Sequence, residues 1–528
     1  MWCLSGKYKS NIRLIKALPY CQAVISGLLL GLAWNSIIPT ISLFVAFIPI
    51  LFLLQNTNNH NTKIFNLSFL AFLIFHFIVV WWLSQSSVIG FIVIVLLNSF
   101  FMAIVILLCF LSWKKHGSII GILSFLLFWL SFEYIHYRWE FSWPFMNLGN
   151  WLGQIPEIIQ WYEYTGVLGG TLWILIINIL LFLFVKNLIN KKFKQSILAI
   201  SVSIFIVLVP VLISKSLYNN SIEIGTKVKI KIIQPNINPY TEKYNSKLFG
   251  NQIKRHFELA EESDSSQIDC YLFPESSFPV YLDEQQLRNN LFLQSIDSQI
   301  IMKTEKSVLG GLYSFKIVES DTLFYNTAFM LNSDIQIYHK SKLVMGVERM
   351  PFQQYLKFLK KLNFDFGGYS SSLTADNQRK VFFSKEGTMA IAPIICYESI
   401  YGEFVSEFIK KGAASIAVIT NDGWWGDTPA LPQILMHAQL RAIETRKYLA
   451  RAANTGVSCF INQKGEIDSQ TRPWEQNSLS GSIYQNKKLT FYTRNGDFIG
   501  RIALYSSIIL ILYRLSIHLK QKTANRRL

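Results

Sequence analysis

Long apolar runs constrain this chain more than any other feature. A helix needs roughly 20 apolar residues to cross the hydrocarbon of a bilayer. Seven runs of about that length lie near 20–36, 38–55, 65–84, 88–112, 118–136, 164–185 and 195–214, and an eighth lies near 497–517. Between the seventh and eighth, charges, glycines, prolines and short strand-like runs return. Three parts are therefore expected. Residues 1–216 form an α-helical membrane bundle of seven spans, 225–490 an α/β domain, and 497–517 a C-terminal transmembrane helix followed by a tail at 518–528. The first run is not expected to be a removed signal peptide, because a second follows almost at once.

Only 16% of the 528 residues are charged, yet the formal charge is +17. The basic residues explain the excess by their placement. Lys7, Lys9, Arg13, Lys16, Lys63, Lys114, Lys115, Lys186, Lys191, Lys192 and Lys194 fall in alternate connections, and Lys520, Lys522, Arg526 and Arg527 follow the last run. The other connections, "NSIIP", "SQSS" and 137–163, hold only Arg138. Basic residues mark cytoplasmic loops, so both termini are expected inside and the α/β domain outside. A nucleic-acid partner is not expected, since no basic–aromatic patch occurs. Cys3, Cys21, Cys109, Cys270, Cys396 and Cys459 show no metal spacing, and neither metal nor cofactor is predicted. A disulfide among the outward cysteines stays open.

In the α/β part, "KVKIKIIQPNINP" reads as strand then turn, "SVLGGLYSF" and "LFYNTAFMLN" as a strand pair, and "MAIAPIIC" and "ASIAVITND" as buried central strands. A helix is predicted over about 432–448, and "ARAANTGVSCFINQKG" suggests a further strand pair. Three strand ends carry reactive side chains: Glu275 in "LFPES", Lys340 in "YHKSKLV" and Cys396 in "IICYE". A thiol needs a base to become a thiolate, a carboxylate supplies one, and a nearby cation favours the thiolate and a developing oxyanion. The Tyr397 backbone N–H is a candidate oxyanion donor. Taken singly, Cys396 reads as a core thiol, Glu275 as a turn cap and Lys340 as a solvated lysine; the combination points to thiol-based acyl transfer.

In that order, "FPES", "YHKSKLV…E" and "ICYE" resemble the Glu–Lys–Cys triad of the nitrilase superfamily, whose domains are αββα sandwiches. An inserted domain of this kind before the last of eight spans is similar to the organisation of the apolipoprotein N-acyltransferase family. The resemblance implies Glu275 as general base, Lys340 as oxyanion stabiliser, Cys396 as nucleophile and Glu348 as the acid orienting the lysine. Tyr397, Glu398, Trp424, Trp425 and Trp143 match substrate-contacting positions; Glu398 also reads as structural, the two tryptophans of "NDGWWGDTP" as core, and Trp143 as an interfacial anchor. Where the family pattern reads "LVPFGE", this chain has "LVMGVE", with Met345 and Gly346 altering the loop. The implied reaction moves an acyl chain from a phospholipid through a Cys396 thioester to the α-amino group of a diacylglyceryl-cysteine on an apolipoprotein. It would run in a monomer at the outer face of a bacterial inner membrane, with the catalytic domain periplasmic. Two rival readings are a membrane-tethered amidase hydrolysing a C–N bond and a transporter or assembly protein. The transporter would place facing charges inside the spans, where Glu133 is the main candidate.

Overall fold

The chain's longest helix, Val88–His136, has 49 residues. At 1.5 Å per residue it would reach roughly 74 Å, more than twice the thickness of bilayer hydrocarbon. It does not run straight. Gly117 has φ 79 and ψ −178, and the chain folds back there. Ser112 and Ser124, on opposite sides of the turn, both accept from the Arg514 guanidinium, and the Cys109 thiol lies 3.6 Å from the Ser124 carbonyl oxygen. The two halves are thus an antiparallel pair, at the point where the sequence separates runs 88–112 and 118–136.

In this computed structural model, residues 2–34, 41–221, 223–261, 268–319, 321–350 and 373–525 are described. The "NSIIP" connection, and the ends of the two expected spans that flank it, lie outside them, as do Arg526 and Arg527. Among the described residues, five helices are long and apolar enough to cross a membrane: Asn61–Gln85, Val88–His136, Tyr162–Ile189, Phe193–Asn220 and Phe498–Ile517. Ala17–Leu32 and Ile41–Gln55 are apolar but shorter. Phe193–Asn220 and Phe498–Ile517 leave Phe205, Leu208, Leu212, Ile509 and Leu512 exposed. Their backbone hydrogen bonds are internal, so such apolar faces suit lipid. Among the described residues Glu133 has no ion-pair partner. Its buried carboxylate accepts from the Thr171 hydroxyl (2.6 Å), the Leu148 N–H (2.9 Å) and the Trp129 indole (3.0 Å), tying the 141–150 loop to the helices.

That loop packs tightly. A Cβ added at Gly149 would run into the Val167 carbonyl oxygen and lie 2.9 Å from the Thr171 nitrogen, both backbone atoms. Gly149→Ala is therefore expected to destabilise the protein by about 1–3 kcal/mol, as overpacked sites do, seen as a lower thermal midpoint in detergent.

The soluble part is two sheets face to face. The first takes Thr226–Gln234 (β1), Cys270–Leu272 (β2), Phe278–Asp283 (β3), Ser307–Val318 (β4), Asp321–Leu331 (β5) and Ile335–His339 (β6). The second takes Phe382–Phe383 (β7), Ala390–Ile395 (β8), Ser415–Thr420 (β9), Leu449–Ala453 (β10), Cys459–Ile461 (β11) and Ile467–Gln470 (β12). The last strand, Asn477–Gln485 (β13), returns to the first sheet and pairs antiparallel with β1. The orders are β13-β1-β2-β4-β5-β6, with β3 beside β4, and β12-β11-β10-β9-β8-β7. β8 and β9 are parallel and wholly buried, as their unbroken apolar runs require. Pro393 is tolerated in β8 because the two-residue β7 pairs only with Ala390 and Ile391. Polar side chains stitch the sheets together. Gln234 accepts from Ser458 and Thr471, both at 2.7 Å, and Gln485 donates to Ser415 at 2.7 Å.

Helix Phe249–Glu261 buries Phe257, Leu259 and Ala260, and Gly402–Lys410 follows the Cys396 turn. Ala430–Thr445 is buried nearly all round, because it lies between the second sheet and the membrane arm. The Trp82 indole donates to Gln433 (2.9 Å), and the Val167 N–H donates to Glu444 (3.1 Å). Arg138 bonds both Glu403 and Asp497, and Arg501 bonds Glu403 at 2.9 Å. Cys270 and Cys459 are both buried with free thiols.

Candidate active site

Strand ends deliver the three reactive side chains. Glu275 follows β2 and is buried; Lys340 follows β6, its N–H bonded to the Asn326 carbonyl at 2.8 Å. Cys396 follows β8 with φ 51, a left-handed conformation rare outside glycine and found at functional turns. A hydroxyl of Ser399 caps this turn by donating to the Cys396 carbonyl at 2.8 Å.

The side chains meet in one pocket with Glu348, Trp424 and Trp425. The Lys340 ammonium lies 3.1 Å from Glu275 Oε1 and 2.9 Å from Glu348 Oε1. Glu348 is aimed there by the 344–349 turn, in which its own N–H reaches the Val344 carbonyl (2.9 Å) and its Oε2 accepts from the Val344 N–H (2.8 Å). Gly346 and Arg349 close that turn through a 2.9 Å backbone bond. With Met345 and Gly346 in this loop, Glu348 still reaches the lysine.

Burial pushes the Cys396 thiol up to about 12, with Glu275 adding to the rise and Lys340 opposing it. Burial also pushes the Glu275 carboxyl upward, but Lys340 and Lys243 outweigh it and hold the group below its ordinary value. For Lys340 burial works against the charge, and Glu275 and Glu348 reverse the balance, so it stays well above its ordinary value. The resting arrangement is therefore a thiol beside an ionised carboxylate and an ammonium.

Other expected residues have different surroundings. Glu398 is fully buried and does not line the pocket. Its Oε1 accepts from the Tyr338 hydroxyl (2.6 Å) and the Ser341 N–H (2.7 Å), and its Oε2 accepts from the Ile395 N–H (2.9 Å). Four or more lone-pair positions on a carboxylate make such multiple acceptance possible. The structural reading fits Glu398 better than substrate contact, because its oxygens are occupied by these donors. Trp143 is also buried, stacked on Phe145 and on Tyr397, whose hydroxyl donates to the Ser142 carbonyl at 2.9 Å. Neither ring lines the pocket, so Trp143 is packed in the joint instead of anchoring at an open interface. Trp424 and Trp425 do line it, and Trp425 packs edge-on against Trp82 of the membrane arm.

Three lining or supporting residues carried no sequence signal of their own. Asn326 on β5 donates to both Glu275 (2.8 Å) and Glu348 (3.2 Å); a lone amide inside the apolar run "LFYNTAF" is the only hint. Lys243 and Ser86 also line the pocket, and Ser86 belongs to the membrane arm. An α/β domain holding a thiol, a carboxylate and an ammonium in a pocket walled partly by a membrane arm defines a membrane-embedded enzyme class of nitrilase type.

Comparison with known proteins agrees. Residues 26–180 match the family described as apolipoprotein N-acyltransferase N-terminal domain, and 230–486 match carbon-nitrogen hydrolase. The apolipoprotein N-acyltransferase of Chlorobaculum tepidum is 26% identical, covering 96% of this chain and 99% of that protein. The one from Geobacter metallireducens is 25% identical over 94% and 96%. Among solved structures, Saccharomyces cerevisiae Nit3, a member of branch 10 of the nitrilase superfamily, matches with a TM-score of 0.36 and 15% identity, covering 49% of this chain and 90% of that one. The chain belongs to the apolipoprotein N-acyltransferase family.

Proposed function

We propose that the protein N-acylates lipoproteins by a two-step exchange on Cys396, with a phospholipid as acyl donor. The convergence of Cys396, Glu275 and Lys340 in a pocket that Ser86 of the membrane arm helps to wall carries this reading. Glu275 takes the thiol proton as sulfur attacks the sn-1 ester carbonyl. A C–S bond forms, the C–O bond to glycerol breaks, and Glu275 returns the proton to the departing lysophospholipid oxygen. The α-amino nitrogen of a diacylglyceryl-cysteine then attacks the thioester. The C–N bond forms, the C–S bond breaks, and the amine proton passes through Glu275 to the thiolate. Lys340 stabilises the oxyanion in both steps, with Glu348 fixing its position. A thioester divides a difficult ester-to-amide exchange into two easier steps. Trp424 and Trp425 line the acyl path and exclude water. The basic residues of alternate connections support a topology with both termini in the cytoplasm and the catalytic domain on the outer face of the inner membrane.

Mass spectrometry tests the reading directly. Wild-type protein incubated with phospholipid is expected to gain one acyl mass on the Cys396 peptide, and a diacylglyceryl lipopeptide should then discharge it as amide. Absence of that adduct would refute the mechanism, and discharge to free acid in the presence of the lipopeptide would favour an amidase-like hydrolase.

A further inference from the structure

Lys243 is an anomaly in the pocket wall. It lies in the turn after β1, where its N–H bonds the Asn238 carbonyl at 3.0 Å. Its side chain is buried, with the residue only 3% exposed, and it lines the same pocket as Cys396. Among the described residues its ammonium has no hydrogen-bond or ion-pair partner, whereas Lys340 is held by two carboxylates. Held without a carboxylate of its own in the wall of a reactive pocket, its ammonium faces the space where the chemistry would occur.

Charge balance supplies a use for it. The ionisable groups facing Cys396 come from several elements. Glu275 follows β2, Lys340 and Glu348 flank the turn after β6, and Tyr313 comes from β4. Asp422, beside the pocket, is neutralised by Arg451 at 2.8 Å. Glu398 lies behind the turn, its oxygens bonded to a hydroxyl and backbone N–H groups. In the pocket wall, then, two carboxylates face one paired ammonium, and only Lys243 brings the wall to neutrality. Without it, once Glu275 had taken the thiol proton, the thiolate and Glu348 would share Lys340 as the one cation of the wall. We propose that Lys243 is the second cation of the active site, supplying the positive charge that allows Cys396 to ionise, through space and without holding either carboxylate in place. The proposal rests on Cys396 being the acylated nucleophile. Burial pulls the Lys243 ammonium down to about 8, with Glu275 and Cys396 opposing the fall, so its charge is available at neutral pH and below.

The test is the pH dependence of iodoacetamide alkylation at Cys396, read on its peptide in the full-length protein in detergent. Lys243→Met and Lys243→Gln are expected to slow alkylation at neutral pH, where Lys243 carries its charge, by roughly tenfold. Lys243→Arg should restore the wild-type profile. A structural lysine would leave its neutral variants less stable; here their thermal midpoints are expected to equal or exceed the wild type. If either neutral variant folds and titrates like the wild type, the proposal is overturned, even if acyl transfer falls. Failure of the acyl-transfer reading shows separately, as no acyl adduct on wild-type Cys396.

Discussion

Cys396→Ala is expected to abolish acyl transfer, with a rate loss of roughly four orders of magnitude or more, because among the described residues no other thiol lines the pocket. Fold and lipid extraction behaviour should be unchanged. The left-handed turn at Cys396 does not depend on the sulfur, and alanine removes one atom of a half-buried, pocket-lining side chain. The check is a lipopeptide acylation assay paired with thermal unfolding in detergent. A folded Cys396→Ala protein that retained transfer would place the nucleophile elsewhere. Cys396→Ser should also be inactive, since an alkoxide is far harder to form beside Glu275 than a thiolate.

Lys340→Met carries the second large effect, on two readouts at once. Lys340 bonds Glu275 and Glu348 in a buried setting, at 3.1 and 2.9 Å. Removing it leaves two buried carboxylates without their shared counter-ion, a change that commonly costs about 3–5 kcal/mol. Activity should vanish along with this stability. The pH dependence distinguishes a lost ion pair from a lost packing contact. Glu275 lies below its ordinary value of 4.5 in the folded protein, so its contribution is present above that value and disappears as pH falls through the lower folded value. Lys340 lies above its ordinary 10.5, so its contribution is complete below 10.5 and fades only as pH rises through the higher folded value. Between those limits the wild type should show flat stability from the pair. In Lys340→Met the carboxylates are buried unpaired, so lowering the pH should recover stability. A variant whose midpoint did not rise on acidification would argue against a charge origin.

Much of the catalytic domain was legible because its signals are local. The octet "MAIAPIIC" that ends at Cys396 reads as a buried strand, and the structure ends β8 at Ile395. The predicted helix over 432–448 appears as Ala430–Thr445. The strand pairs read from "SVLGGLYSF" with "LFYNTAFMLN" and from "ARAANTGVSCFINQKG" are β4–β5 and β10–β11. Glu275, Lys340 and Cys396 sit at strand ends, where a change from apolar to reactive side chains is visible along the chain. Asn326 and Lys243 are different. Each earns its place through partners or neighbours far away in sequence, and an amide or a lysine alone has many uses. Glu398 matched a substrate-contacting position through the family resemblance and also read as structural; its oxygens are taken by donors from the Lys340 turn and from the β8 end. The membrane arm was legible in its apolar runs, because hydropathy reports directly on the composition a bilayer demands.

The contact between the two parts of the chain bears on the fate of an acyl-enzyme. Ser86 and Trp82 come from the membrane arm. Ser86 lines the pocket, and Trp82 backs the Trp425 ring that lines it. In the proposed cycle a loaded thioester has two possible exits, attack by an amine and attack by water. In that cycle Glu275 would take a proton from either nucleophile, and part of the wall that would keep water out is built by residues outside the catalytic domain. The ratio of amide to free acid would then depend on the joint between arm and domain, through side chains that never touch the sulfur.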